Sequence, residues 1–230
     1  MLLWIVAILI IIVTVFLLYY NKANQEALDI VSEMDKVGDD YYFYGDSKVG
    51  FIIFSGAKID EKAYSYIAKL LHEAGHTVVI PKVLFHMSFT GINHGIEIME
   101  SNPDIEKWIL VGHSLGGLPA GRIAVREPDK ILGVAFLASA MPTDLSKLDI
   151  SAIRITAEND EVMNKKMMEA HLDYLPEHST SIMLEGANHQ GFAAYNSLGR
   201  DGEATISWKE QQERTVQLIL EFFDSKINEF

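Results

Sequence analysis

Two periods of apolar residues alternate along most of this chain, after an opening stretch that has no period. Residues 2–20 form an unbroken uncharged run, almost wholly apolar. Apolarity on every side at that length fits one helix crossing a bilayer, because a surface helix needs only one apolar stripe. No basic residue precedes the run and no small-x-small cleavage site follows it, so 1–20 reads as an uncleaved anchor. Residues 21–38 are polar, acidic and helix-compatible, and read as a stalk. From residue 39 to 230 strand-like and helix-like segments take turns. Segments 41–44 and 49–54 read as strands joined by a turn at Gly45-Asp46-Ser47. Apolar residues at 63, 64, 67, 70, 71 and 74 make a helical stripe ended by Gly75.

The alternation continues to the end of the chain. Strands are predicted at 77–80, 108–111, 131–137, 152–156 and 181–184. Between them lie helical stripes through Ile92, Ile96 and Met99, through 118–125, and through Met163, Met167 and Tyr174. Ser207 and Glu210 stand at capping-box spacing ahead of a C-terminal helix whose inward stripe is Val216, Ile219, Leu220 and Phe223. Strands alternating with helices imply an α/β domain, a mostly parallel sheet with helices on both faces. Reactive groups in such a sheet gather beyond the carboxyl ends of its strands.

Composition narrows the function. The net charge of −13 lies entirely beyond the apolar run, which argues against nucleic acid and against an anionic membrane surface as partners. The absence of cysteine excludes a disulfide framework, a thiolate metal site and a cysteine nucleophile. Lys22 and Lys36 follow the run with no basic residue before it, which by positive-inside counting favours a cytoplasmic domain.

The chemistry is concentrated in Gly112-His113-Ser114-Leu115-Gly116, placed directly after the apolar run 108–111. Gly-x-Ser-x-Gly between a strand and a helix turns the chain sharply enough to expose the serine oxygen. A serine hydroxyl needs a base, usually His, held by a carboxylate, and in this kind of fold the order is Ser, acid, His. Three histidines follow Ser114. His189 sits in Gly186-Ala187-Asn188-His189-Gln190-Gly191-Phe192, directly after the last strand, where a base can reach over the strand ends. His171 and His178 fall in a helix and at a strand entry. Asp160 follows the strand at 152–156 and is the expected orienting acid, with Glu158 as its competitor; as the first residue of the next helix, Asp160 could also serve as an N-cap. Expected oxyanion donors are the backbone amides of Leu115 and of Ala57, in the loop Ser55-Gly56-Ala57-Lys58. Phe85, His86, Met87, Met141 and Phe192 follow strand ends and are candidates for an acyl pocket.

The order Ser114, Asp160, His189 with Gly-His-Ser-Leu-Gly-Gly resembles the alpha/beta-hydrolase superfamily. Phe54-Ser55-Gly56-Ala57-Lys58-Ile59-Asp60, Val79-Ile80-Pro81-Lys82, Asn102-Pro103-Asp104 and Gly186-Ala187-Asn188-His189 are similar to the compact fold-5, dienelactone-hydrolase-like branch. The resemblance covers roughly residues 40 to 225, and its motifs speak to fold and triad more than to substrate. Dienelactone hydrolases proper use a cysteine nucleophile, so lactone specificity does not carry over. Ser55 stands where many relatives have His or Pro. The short gap between the strands at 131–137 and 152–156 leaves no room for a large cap. The resemblance also favours an exported domain, and the expected placement is a single-pass protein of the cell membrane with its domain outside. The expected activity is that of a membrane-anchored serine hydrolase of carboxylic esters or related acyl bonds. Its partners would be a small-molecule acyl substrate and the lipid bilayer, with no nucleic acid and no metal or organic cofactor. The rival expectations are an acyltransferase with the same triad and a non-catalytic binding or scaffold module.

Overall fold

A computed structural model describes residues 2–140, 143–163, 165–196, 199 and 201–230. The predicted alternation becomes one eight-stranded sheet. The strands are β1 (Asp35–Val37), β2 (Asp40–Phe43), β3 (Val49–Phe54), β4 (Val78–Ile80), β5 (Lys107–His113), β6 (Ile131–Leu137), β7 (Ser151–Ala157) and β8 (His178–Leu184). Their order across the sheet is β1-β2-β4-β3-β5-β6-β7-β8. The pairs β1/β2 and β2/β4 are antiparallel, and all others are parallel. β3 and β6 are buried at every position, as a strand covered on both faces must be.

The helices are α1 (Leu2–Leu18), α2 (Gln25–Val31), α3 (Ser65–Glu73), α4 (Ile92–Ser101), α5 (Gly117–Arg126), α6 (Lys165–Glu169) and α7 (Trp208–Ile227). One core lies under α2, α3 and α7 and includes Phe51, Ile67, Leu71, Val111, Ile153 and Phe223. The other lies under α4 and α5 and includes Phe54, Trp108, Ile123, Val134 and Phe136. The connection from Leu137 to Ser151 carries no helix among the described residues, in keeping with a fold lacking a large cap.

Two expectations need correction, and the expected membrane span is not supported. Among the described residues no helix is long and apolar enough to cross a membrane. α1 is 17 residues, so it spans roughly 25 Å against about 30 Å of hydrocarbon core. It stops because Asn21 is already held by the domain: its amide donates to the Lys58 carbonyl at 2.7 Å and its carbonyl accepts from Asp60 at 2.9 Å. Residues 21–38 are not a stalk. Ala23, Ala27 and Met34 are buried in the core under α3, Ser65 Oγ donates to the Ala27 carbonyl at 2.8 Å, and β1 joins the sheet edge. The helix expected through Met163, Met167 and Tyr174 is cut to α6 and a separate 3₁₀ turn at Leu172–Tyr174.

Candidate active site

β5 delivers Ser114 at the carboxyl end of the central strands, followed by a 3₁₀ turn at Ser114–Gly116 and then α5. Ser114 has φ of 52°, a left-handed conformation that costs a non-glycine residue about 1–3 kcal/mol. Close packing holds it there. A Cβ on Gly116 would collide with the Phe54 and Ser55 backbone, so only glycine lets the elbow press against the end of β3. That contact sets Gly116 against the residues that lead into the loop carrying Ala57. Ala57 itself is exposed at the loop tip. Ser55 points elsewhere: it is buried, its hydroxyl lies 3.3 Å from that of Ser88, and its carbonyl accepts from the Ser88 hydroxyl.

β7 and the loop after β8 supply the acid and the histidine. Asp160 Oδ2 lies 2.8 Å from His189 Nδ1, with both side chains more than nine-tenths buried. Asp160 makes both of the contacts weighed for it, on different oxygens. Oδ1 accepts the amides of Val162 and Met163 at 2.9 Å each, while Oδ2 takes the imidazole. Burial pushes the Asp160 carboxyl up, but the hydrogen bond and charge of His189 and the two amides outweigh it, so it lies below the ordinary carboxylate range. Glu158, its competitor, accepts the Gly186 amide at 2.8 Å and fastens the base of the histidine loop. With Nδ1 turned to Asp160, the opposite ring nitrogen of His189 is left for other work. The His189 ring lies tilted against that of His113, the neighbour of Ser114, with 4.7 Å between ring centroids.

The sequence reading missed what holds the histidine loop. Gln211 is fully buried; its Oε1 accepts the Asn188 amide at 3.1 Å and its Nε2 donates to the Asn188 carbonyl at 2.7 Å. Gln212 Nε2 donates to the Gly191 carbonyl at 3.2 Å. Asp201 accepts the amides of Gln190 and Glu161. Residue 191 is glycine because a Cβ there would occupy the space of the Gln211 amide. A signal existed: Gln211, Thr215 and Ile219 share the inward face of α7 at helical spacing.

The expected pocket residues divide. Phe85 is exposed and Met87 half-buried. His86 is engaged elsewhere, stacked on Tyr20 at 3.9 Å and bonded through Nδ1 to Glu61 at 3.0 Å. Phe192 is fully buried and belongs to the core, 5.6 Å from the His113 ring, so it walls no open pocket. Met141 lies outside the described residues. A groove of about 440 Å³ opens beside Asp160, lined by Arg154, Thr156, Met163, Met168, Leu172 and Met183 among others, and includes neither Ser114 nor His189.

Asp60, Glu61 and His86 bring donor atoms within 4.8 Å of one another, as a metal site would. Their charges are already matched: Lys82 Nζ lies 3.0 Å from Glu61 and Lys62 Nζ lies 3.4 Å from Asp60. Burial raises the Glu61 carboxyl, yet His86 and Lys82 bring it below its usual range. The cluster reads as an ion-pair network bracing the Ala57 loop.

Comparison with known proteins follows the same outline. Salicylic acid-binding protein 2 of Nicotiana tabacum is 51% identical over 47 residues, 20% of this chain and 18% of that protein. Polyneuridine aldehyde esterase of Rauvolfia serpentina is 29% identical over 107 residues, 40% of this chain and 39% of its own length. The chain therefore spans less than half the length of either relative. An alpha/beta hydrolase enzyme from a lagoon-sediment metagenome (Mar Chica, Morocco) superposes with a TM-score of 0.63 at 18% identity, covering 84% of this chain and 98% of that one. At that identity the likeness speaks for the fold. Residues 50–213 match the model of the Alpha/beta hydrolase family, and the chain belongs to that family.

Proposed function

We propose that this chain is a serine hydrolase that cleaves a carboxylic ester or a related acyl bond. The observation that carries the reading is the 2.8 Å bond between Asp160 and His189, brought together from separate loops beside the strained turn at Ser114. Ser114 Oγ attacks the acyl carbonyl as His189 takes its proton. The Leu115 and Ala57 amides hold the oxyanion, and Asp160 keeps the imidazole in the tautomer with its proton on Nδ1. The imidazolium then protonates the leaving alcohol. Water, deprotonated by the same histidine, attacks the acyl-enzyme and releases the acid. An esterase name among the relatives supports the choice of substrate class.

The same reading seats α1 in a lipid bilayer with the domain on the outer side. Trp4, Ile5, Val6, Ile8, Leu9, Val13, Val15 and Leu18 are all substantially exposed, and at helical spacing they leave no described side of α1 covered. Tyr19 and Tyr20 stand at the interface, where such rings are favoured, and modest local thinning of the bilayer accommodates a short helix.

Labelling with a fluorophosphonate probe tests the chemistry. Wild type labels and Ser114→Ala does not, while His189→Ala lowers kcat/KM on a short-chain p-nitrophenyl ester by about 10⁴-fold or more. Labelling that persists without Ser114 overturns the proposal. Extraction of membranes at alkaline pH and protease treatment of intact cells test attachment and sidedness.

A further inference from the structure

A buried hydrogen-bonded chain joins the Ala57 loop to the Ser114 elbow, and the reaction as proposed makes no use of it. Tyr64 and His113 are both fully buried. The Gly56 amide donates to the Tyr64 hydroxyl at 2.7 Å, and that hydroxyl lies 2.7 Å from His113 Nδ1. The proton positions follow from the chemistry of the groups. An amide N–H only donates, so the hydroxyl accepts from Gly56 and sends its own hydrogen to Nδ1. His113 then carries its proton on Nε2. Burial, and after it the neighbouring charge of His189, holds His113 well below the ordinary histidine range, so this ring stays neutral. Burial likewise pushes the Tyr64 hydroxyl well above the usual tyrosine range and keeps it protonated.

Three functional segments meet at this pair. Tyr64 closes the 3₁₀ turn Glu61–Tyr64 that leads into α3, and so is anchored in the core. His113 is the last residue of β5, one bond from Ser114. The His113 ring lies tilted against that of His189, 4.7 Å between centroids, and the His189 backbone adjoins the His113 ring as well. Little slack remains around Gly56: a Cβ there would stand 3.2 Å from His113 Nδ1 and 3.4 Å from the Tyr64 hydroxyl. Because the Gly56 amide is committed to Tyr64, the next amide along, that of Ala57, is the one this loop can offer to an oxyanion.

We propose that Tyr64 and His113 are positioning residues that fix the spacing between the Ala57 loop and the Ser114 elbow, so that the Ala57 and Leu115 amides converge on one point. This rests on the serine-hydrolase reading above. Neither residue touches the substrate; they act through the backbone they hold.

The test uses the full chain in detergent and a short-chain p-nitrophenyl ester. Tyr64→Phe removes one oxygen and keeps the ring. Its kcat should fall about ten- to a hundredfold, the scale of a misplaced donor, with KM within about threefold of wild type. His113→Phe should fall as far. His113→Asn, whose Oδ1 can accept the tyrosine hydrogen where Nδ1 did, should stay within about fivefold of wild type. The double variant Tyr64→Phe/His113→Phe should be no worse than either single, because one linkage is lost once. Tyr64→Phe with kcat within about twofold of wild type overturns the proposal, as do losses that multiply in the double variant. If Tyr64→Phe does not fold, His113→Asn against His113→Phe decides: equal losses overturn it and a rescue by Asn supports it. Ser114→Ala in the same assay separates the two levels. Activity surviving there defeats the hydrolase reading itself, whereas activity lost there and intact in Tyr64→Phe defeats only the positioning role.

Discussion

The elbow at Ser114 and the loop at His189 meet at the same end of the sheet, yet they are held there by opposite means. The elbow is held by absence. Gly116 lets the elbow press on the end of β3, and the backbone beside it carries a left-handed residue at Ser114. The histidine loop is held by presence. Gln211, Gln212, Asp201 and Glu158 reach in from other segments and occupy its amides and carbonyls. A steric constraint fails abruptly and takes the fold with it. A hydrogen-bonded one fails by degrees and costs geometry first.

The sharpest way to break the contrast is to fill the elbow. Gly116→Ala sets a methyl group against the Phe54 and Ser55 backbone, which cannot step aside as a side chain would. Overpacking of this kind costs up to about 3 kcal/mol, and here it should take that full amount with loss of activity in proportion to lost folded protein. Urea unfolding measures it. A midpoint equal to that of wild type would show that the elbow has slack and that its glycine is not sterically required.

The histidine loop should behave differently under Gln211→Leu. The side chain keeps much of its volume, but the Asn188 amide and carbonyl lose their partners. Leaving such groups unpaired costs about 1–3 kcal/mol. A misplaced base should lower kcat roughly a hundredfold, more than the stability loss explains at temperatures where the variant is still folded. Stability loss with kcat unchanged would mean that Asp160 alone fixes His189.

The same contrast decides what could be read from the sequence. The elbow is local, five consecutive residues whose types state the geometry, and the fully buried strands β3 and β6 announce themselves as continuous apolar runs. The supports of the histidine loop lie far along the chain, and a glutamine on a helix looks like a solvated residue until the fold buries it. His113 and Tyr64 were hidden for the same reason, being separated by 49 residues in sequence. Segment 21–38 misled because docking needs only a few small contacts: Ala23 and Ala27 carry no amphipathic signal strong enough to tell a packed helix from a stalk. β1 was invisible because all three of its residues are exposed. Polar composition reports contact with water, and it is silent on whether the backbone beneath is paired.

Asp160 joins the two regions and yields the gentlest test. Its pKa is lower in the folded chain than in the unfolded one, so its stabilising effect is fully present above the ordinary carboxylate range and fades as pH falls through the folded value. Asp160→Asn keeps an acceptor for the Val162 and Met163 amides but removes the charge facing His189. At neutral pH the variant should be less stable than wild type by about 2 kcal/mol, the scale of a hydrogen bond to a charged partner. As pH falls from the usual aspartate range through the lowered folded value, the two stability curves should draw together, because the wild-type carboxyl becomes protonated. Urea midpoints between about pH 7 and about pH 3 follow the gap. A gap that stays constant across that range would assign Asp160 to capping the turn at Val162, and would leave the histidine loop depending on Gln211 and its neighbours alone.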